Sequence, residues 1–317
     1  MEKNDFGRDF SHSAENPAVK LSSKESAKDP TLYSDWLTLL GYFEEAEALQ
    51  YVQGQGVPPI TTSDEWREGI KKARAAVSGL SGRSKMQPEV RALGDEFETR
   101  FAELRQEPTF QEHTIGMKST SFALVELNKI HCFQRHLNVE YVEALAEKAP
   151  SREDLAGLVS FCLPTRNEIL PTPITAGFNP NTNTFTAVTQ NLDLRVAGTF
   201  QGQDPSTHRA MAGFTYGFGL PQISVVEYKG YYLLKNGYHR AYALLMKGHE
   251  FMPCIVQSTD VYQLTGGQVP GFFPIDLVIS DRSPLLSDFT TEAAVPVPRR
   301  RLRVMVSVHA ELQAVPL

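Results

Sequence analysis

The residues best suited to chemistry stand in one short run, Asn236-Gly237-Tyr238-His239-Arg240. An apolar stretch, Tyr231 to Leu234, precedes this run, and apolar residues at helical spacing follow it. The pattern predicts a strand that delivers a histidine and an arginine to the first turn of a helix. Free N–H groups and the positive end of the helix dipole attract anions there, and a guanidinium adds bidentate donors. The run therefore predicts a site for phosphate oxygens, and the alternative is a His-Arg pair that only holds the loop.

The flanking sequence predicts the elements that position this run. Gln222 to Tyr228 is rich in β-branched residues and is typical of a strand, and Lys229-Gly230 supplies a turn. Gly248 is expected to end the helix, and Phe251 to Val256 is predicted to form a buried strand after a short loop. Gly237 is expected to require a positive φ or the close approach of a ligand.

This stretch resembles the ParB/sulfiredoxin superfamily, because Asn236 to Ala243 is close to the G-x-H-R-x-x-A signature of that group. Pro221-Gln222-Ile223 and Pro253-Cys254-Ile255-Val256 agree with the flanks of the signature. Ala123 to Ile130, followed by Phe133-Gln134-Arg135, looks like the opening strand and loop of the same domain. The resemblance spans about 140 residues, an ordinary domain size. It implies a mixed α/β fold, a small mixed sheet with helices.

Members of that superfamily use one nucleotide pocket in different ways, so the fold does not settle the function. Some ParB proteins bind and hydrolyse CTP and clamp DNA, sulfiredoxins use ATP to repair an oxidised cysteine, and free-serine kinases transfer a phosphoryl group. The resemblance implies that ATP or CTP is bound through its phosphates, with Mg²⁺ if hydrolysis or phosphoryl transfer takes place. It leaves open whether the protein is an enzyme. Sulfiredoxins carry their reactive cysteine directly before His-Arg, and Tyr238 in that position argues against thiol chemistry.

Further candidates lie outside the signature. Gln134, Arg135 and His136 follow the first predicted strand, where the resemblance implies polar contacts to the nucleotide. Arg135 would contact a phosphate and His136 would act in acid–base chemistry, and a solvated loop is the alternative. Glu126 and Glu227 lie on predicted strands, and each would serve as a base or metal ligand only if its side chain pointed into the pocket. The sequence assigns no catalytic carboxylate and no metal ligand.

Composition limits the partners. The net charge of the 317 residues is -6 and the pI is near 5.8, which argues against a protein that coats DNA by charge alone. The run RRRLR at Arg299 to Arg303 suits a nucleic-acid phosphate strip, and a solubilising cluster is the plainer interpretation. Two alternative functions remain: a DNA-associated module of a partition or defence system that uses the same pocket for a backbone phosphate, and a non-catalytic scaffold. The absence of an apolar membrane-length run or signal-like N-terminus predicts a cytoplasmic protein without a membrane partner. Three widely spaced cysteines fit neither a disulfide framework nor a zinc site.

The chain order predicts four regions. Residues 1–30 are expected to be a flexible tail, 31–112 a helical region, 119–264 the superfamily-like domain, and 265–317 an extension ending in a strand from Leu302. Helices are predicted from near Tyr33, from Ser63 and from Pro88, and over Val139 to Lys148. Leu158 to Leu163 is predicted as a strand. An insertion at 164–220 is predicted to carry a hairpin around 179–183 and a short helix within 207–221, and to lie over the pocket as a lid or else to extend the sheet elsewhere.

Overall fold

A computed structural model describes residues 32–55, 63–169, 173–191, 194–204, 206–207, 209–219 and 221–309. Within these ranges the fold is mixed α/β, as predicted, with eight α-helices and fourteen strands in four sheets. The tail predicted for residues 1–30 lies outside the described residues. In the same ranges no helix is both long enough and apolar enough to cross a bilayer.

The elements are numbered in chain order. The strands are β1 (Tyr33–Thr38), β2 (Val90–Ala92), β3 (Ser119–Glu126), β4 (His131–Cys132), β5 (His136–Asn138), β6 (Thr175–Asn179), β7 (Thr184–Thr189), β8 (Arg195–Gln203), β9 (Ala210–Gly217), β10 (Ser224–Tyr228), β11 (Tyr231–Asn236), β12 (Phe251–Ser258), β13 (Val295–Arg300) and β14 (Val304–His309). The helices are α1 (Glu45–Gln53), α2 (Ser63–Ser78), α3 (Glu98–Gln106), α4 (Pro108–Thr114), α5 (Val139–Lys148), α6 (Leu155–Cys162), α7 (Tyr238–Met246) and α8 (Ile275–Val278).

The central sheet has the strand order β2-β3-β12-β10-β11-β4. β10 and β11 form an antiparallel hairpin through Lys229 and Gly230, which both have positive φ, and α7 then leads to β12, parallel to β10. Side chains between this sheet and α7 are fully buried, among them Val225, Leu234 and Ala241. The strand, turn, strand, helix and strand predicted around the motif are therefore confirmed.

The predictions near the N-terminus are wrong in two places. The stretch from Tyr33 forms the strand β1 instead of a helix, because β13 and β5 both pair with it and satisfy its backbone on each side. The helix expected from Pro88 begins only at Glu98, and Val90 to Ala92 instead form the edge strand β2 against β3. Long-range pairing overrides the local helical pattern in both stretches.

Two further elements differ from the sequence predictions. Leu158 to Leu163, predicted as a strand, lies almost wholly in α6, which Asp154 caps by accepting a hydrogen bond from Gly157 N at 2.8 Å. A short run that is apolar all round does not reveal its period, so periodicity alone could not identify this helix. The short helix predicted within 207–221 is instead the strand β9, paired with β8 over its full length.

The insertion and the C-terminal extension form one structure. The predicted hairpin at 179–183 is confirmed as β6 and β7, and the predicted terminal strand is confirmed as β14, which pairs with β7. The second hairpin, β8 with β9, packs on β7 through the ring of Phe185, which lies 5.8 Å from Phe214 and 6.0 Å from Tyr216. Strands β6 and β7 of the insertion thus form a three-stranded sheet with β14.

A buried ion pair joins the loop after α2 to the segment before β13. Arg83 donates to both carboxylate oxygens of Asp288 at 2.5 and 2.8 Å, and Tyr42 donates to the same carboxylate at 2.6 Å. Arg83 also donates to the carbonyl of Ser283. Because both charged side chains are almost fully buried, each depends on the other for its hydrogen bonds.

We expect Arg83→Ala to lower the free energy of unfolding by about 3–5 kcal/mol, since the carboxylate of Asp288 would stay buried without its partner. Arg67→Ala is the matched control, because Arg67 and its partner Asp64 have exposed fractions of 57% and 90% and such pairs contribute about 1 kcal/mol or less. Urea unfolding of both variants measures the difference. Equal losses would contradict a special role for the buried pair.

Candidate functional site

Helix α7 starts from a glycine that no other residue could replace without strain. Gly237 has φ +92° and stands at the N-cap, where no side chain caps the first turn. A Cβ at this position would lie 2.7 Å from Cγ1 of Ile223. The positive φ predicted for Gly237 is confirmed, and the close approach is made by Ile223. As a glycine, the N-cap residue has no side chain of its own with which to cap the first turn of α7.

Arg240 binds the two ends of the insertion together. Its Nη1 donates to the carbonyl oxygens of Phe161 and Cys162 at 3.0 and 3.5 Å, and its Nη2 donates to the carbonyl oxygen of Pro221. Burial lowers the pKa of the guanidinium from its usual value. The chain leaves the core after Cys162 and returns at Pro221, so this side chain holds the exit and the return in contact. These hydrogen bonds agree with the alternative interpretation of the motif, in which the His-Arg pair holds the loop.

His239 is held by a backbone group of another element. Its Nε2 accepts a hydrogen bond from the backbone N of Asn138 at 3.1 Å, which makes the neutral ring carry its proton on Nδ1. The ring lies 6.5 Å from Trp36 and 5.2 Å from Tyr141, measured between centroids. Burial lowers the pKa of His239 to about 4.

His136 lies against the same indole. Its ring centroid is 5.1 Å from that of Trp36, and its Nδ1 is 3.3 Å from the hydroxyl oxygen of Tyr51. Burial, and secondarily the charge of Arg299, lower the pKa of His136 to about 3. The structure therefore brings together two predicted site residues, His136 and His239, as neutral rings on one tryptophan.

A guanidinium completes this group. The Cζ of Arg299 lies 4.6 Å from the ring of Trp36 and 6.0 Å from that of Tyr51, and its Nε donates to Gln55 Oε1 at 2.8 Å. We call this group the Trp36 cluster; its members are Trp36, Tyr51, His136, Tyr141, His239 and Arg299. Sequence reasoning missed the three aromatic members. The one available signal was that tryptophan occurs only twice in the chain.

The other two side chains of the predicted run, those of Asn236 and Tyr238, form hydrogen bonds within the protein. Asn236 donates to the carbonyl of Gln222 at 2.8 Å. The hydroxyl of Tyr238 is buried, where it donates to the carbonyl of Leu234 and accepts from the backbone N of Phe133. These contacts fix the turn between β11 and α7.

The loop residues Gln134 and Arg135 border the Trp36 cluster: Gln134 bonds to a backbone carbonyl of the cluster, and Arg135 pairs with a residue of α1. Gln134 donates to the carbonyl of His136 at 2.7 Å. Arg135 pairs with Glu47 at 2.8 Å, and its Cζ lies 4.9 Å from the ring of Phe43 and 5.1 Å from that of Phe273. Arg135 thus stabilises the packing of α1 on the core.

The two candidate carboxylates lie elsewhere on the central sheet. Glu126, at the end of β3, accepts from the backbone N of Glu89 and pairs with Lys129 at 2.9 Å. Glu227 accepts from the backbone N of Gly230 in the turn after β10. Among the described residues, no group of three or more His, Cys, Asp or Glu side chains is arranged to hold a metal.

The three cysteines are buried and free. Burial raises the pKa values of the Cys132 and Cys254 thiols well above the usual value for cysteine. It raises the pKa of Cys162 to about 12. The packing role expected for Cys254 is consistent with its position on the fully buried part of β12.

Comparisons with protein-family models, with curated proteins and with solved structures found no match for this chain.

We expect Arg240→Ala to loosen the base of the insertion. The carbonyl oxygens of Phe161 and Pro221 would lose this donor, whereas that of Cys162 keeps its bond from Ile223 N, and we expect a loss of at least about 2 kcal/mol in the free energy of unfolding. Amide exchange should accelerate at residues 161–164 and 221–223, as measured by mass spectrometry. Arg303→Ala, which removes the same charge from an exposed position, should leave that exchange unchanged. Slow exchange at both segments in Arg240→Ala would contradict the bridging role.

We also expect stability to fall with acid in a defined range. The folded protein keeps His136 and His239 neutral, with pKa values near 3 and 4, whereas the unfolded chain protonates them near 6.5. The unfolded state therefore binds more protons as pH falls below about 6.5, and the free energy of unfolding decreases from there towards pH 4. Urea midpoints between pH 7.5 and 5 measure this. His136→Gln should flatten the dependence, and His309→Gln, at an exposed position, should not.

Proposed function

We propose that the protein binds a nucleotide, ATP or CTP, at the Trp36 cluster and the adjoining first turn of α7. One observation carries the proposal: His239, in that first turn, and Arg299 contact the same indole ring. A helix start with glycine at its N-cap, a guanidinium and aromatic rings therefore meet within one neighbourhood.

The chemistry of these groups suits a nucleotide. Tyr141 is 55% exposed, and Trp36 is half-buried, so aromatic surface is open to a base. Stacking of a base on an aromatic ring contributes about 1–3 kcal/mol. The first N–H groups of α7 and the guanidinium of Arg299 are donors of the kind that phosphate oxygens prefer.

The proposal assigns the motif residues differently from the expectation based on sequence. Arg240 and His239 support the loop through backbone partners, and the phosphate contacts come from the amides of residues 238–240 and from Arg299. We therefore propose binding, and we assign no residue to hydrolysis or phosphoryl transfer. Membership of the ParB/sulfiredoxin superfamily stays a prediction that rests on the motif.

A single-stranded nucleic acid is the second candidate ligand, in a DNA-associated module. The observation that favours it is that exposed arginines, Arg300 and Arg303, continue the chain directly from Arg299. A basic strip beside aromatic rings is the usual design of surfaces that bind single strands without sequence preference.

We expect ATP or CTP to raise the melting temperature, because a ligand at 100 times its dissociation constant stabilises the folded state by about 2.7 kcal/mol. Arg299→Gln should weaken affinity about tenfold or more, since a hydrogen bond to a charged group is worth about 1.5–3 kcal/mol. Tyr141→Ala should weaken it as well. Arg303→Gln, which makes the same charge change outside the cluster, is the control. Titration calorimetry with and without Mg²⁺ measures each affinity.

The outcomes separate the candidates. No stabilisation by any nucleoside triphosphate would overturn the proposal and leave the scaffold alternative. Retention of a single-stranded oligonucleotide that decreases steeply with salt, and that Arg299→Gln and Arg303→Gln weaken equally, would favour the nucleic-acid candidate.

A further inference from the structure

Lys235 is a half-buried amine at the end of β11 in the central sheet. Leu234 pairs with Val225 across the hairpin, and Asn236 pairs with Ser224, so Lys235 between them is the extra residue of a β-bulge. Bulges re-aim side chains and are frequent next to active sites. Because successive side chains of a strand point to opposite faces and Leu234 packs towards α7, Lys235 lies on the face of the sheet that is turned away from α7.

The amine of Lys235 has a neutral partner in place of a negative one. Its Nζ donates to Oε1 of Gln257 at 3.2 Å, and Nε2 of Gln257 donates to the carbonyl oxygen of His113 in α4 at 2.9 Å. Gln257 is 2% exposed, so this amide is buried as well as held at both ends. Among the described residues no carboxylate pairs with Lys235, and loss of solvent lowers its pKa to about 8.

The other segments packed around Lys235 do not supply a charge to it. Gly266 lies against its stem, and a Cβ on that glycine would be 3.1 Å from Cγ of Lys235. The titratable side chains on these segments are those of His113 and Tyr262. The Nδ1 of His113 bonds to a carbonyl of its own helix, and the hydroxyl of Tyr262 donates to the carbonyl of Gly267. Neither side chain has a described contact with the amine.

A hydroxyl at the same bulge lacks a hydrogen-bond partner. Ser224 stands opposite the bulge, and it lies on the same face as Lys235 because the next residue, Val225, packs towards α7. The Oγ of Ser224 is buried, and within the part of the chain that the structure describes it has no partner. An amine without a counter-charge and a hydroxyl without an acceptor therefore share one bulge. A carbonyl compound satisfies both, because its carbon is an electrophile for the amine and its oxygen accepts from a hydroxyl.

We propose that Lys235 is a nucleophilic amine that takes up small aldehydes as imines. The neutral nitrogen attacks the carbonyl carbon, and the carbonyl oxygen then leaves as water with the two protons of the amine as the C=N bond forms. The protonation state favours this step, since about a quarter of the amine is neutral at pH 7.5, against about one part in a thousand for an ordinary lysine. The site faces away from α7, so it does not depend on the proposed nucleotide binding.

Reductive trapping on the whole chain tests the proposal. Propionaldehyde, a small uncharged aldehyde, is added with cyanoborohydride, which transfers hydride to the imine carbon and fixes the adduct as an alkylated amine. Peptide mass spectrometry then measures the trapped fraction at each lysine. At pH 7.5 we expect the trapped fraction at Lys235 to exceed that at the exposed Lys247 at least about threefold, because the neutral amine is the reacting form.

Gln257→Glu changes the charge beside the amine. A carboxylate at this position would stabilise the ammonium form, and we expect the trapped fraction at Lys235 to fall at least about tenfold at pH 7.5. Gln201→Glu is the matched control, because it makes the same change at an exposed position of β8. It should leave the trapped fraction at Lys235 unchanged.

A pH profile of the unsubstituted protein covers the case in which Gln257→Glu does not fold. Acetylation by limiting acetic anhydride follows the neutral amine, so its rate at Lys235 should be half-maximal near pH 8 and level off above it. Half-maximal acetylation above about pH 9 would overturn the proposal. So would a trapped fraction at Lys235 no larger than at Lys247, or equal trapped fractions in the two glutamate variants when both melt cooperatively.

Discussion

The buried guanidinium of Arg240 is the constraint on which the arrangement around the motif depends. A charge that is removed from water must be matched by hydrogen bonds, and those bonds are made here by backbone carbonyls at Phe161, Cys162 and Pro221. Satisfying one side chain therefore fixes the end of α6 beside the start of β10. A long insertion is tolerated at this point because its two ends are held within one hydrogen-bonding distance of each other, so that its length adds little to the entropy of closing the loop.

The Trp36 cluster is assembled from parts of the chain that are distant in sequence. β1 supplies the indole, α1 a tyrosine, β5 and α7 the histidines, and β13 the guanidinium. The three-stranded sheet β13-β1-β5 sets the spacing of these groups, and α7 adds His239 through its bond from Asn138. The segments that flank the motif domain in sequence thus contribute side chains to the neighbourhood of its motif.

The elements predicted correctly are those that local chemistry determines. The Lys229-Gly230 turn, the positive φ of Gly237 and the capping of α5 by Asn138 all follow from residues adjacent in sequence. The stretch from Tyr33 could not be predicted in this way, because it is a strand only through its pairing with residues near 298 and 137. Sequence also placed Arg240 in the first turn of a helix, but the helical pattern does not specify whether its donors meet a ligand or a carbonyl. Trp36 was missed since its partners come from four other elements.

The pairing of β1 with β13 and of β7 with β14 determines how early during synthesis the two sheets are able to form. During synthesis, β1 emerges early and its partner β13 emerges more than two hundred residues later. The hairpin of β6 and β7 likewise presents an open edge until β14 leaves the ribosome. Neither sheet is complete before its C-terminal strand is made, so the folding of the two sheets must wait for β13 and β14. A nascent chain therefore carries the outer edge of β1 without its partner from residue 38 until residue 295 has been made.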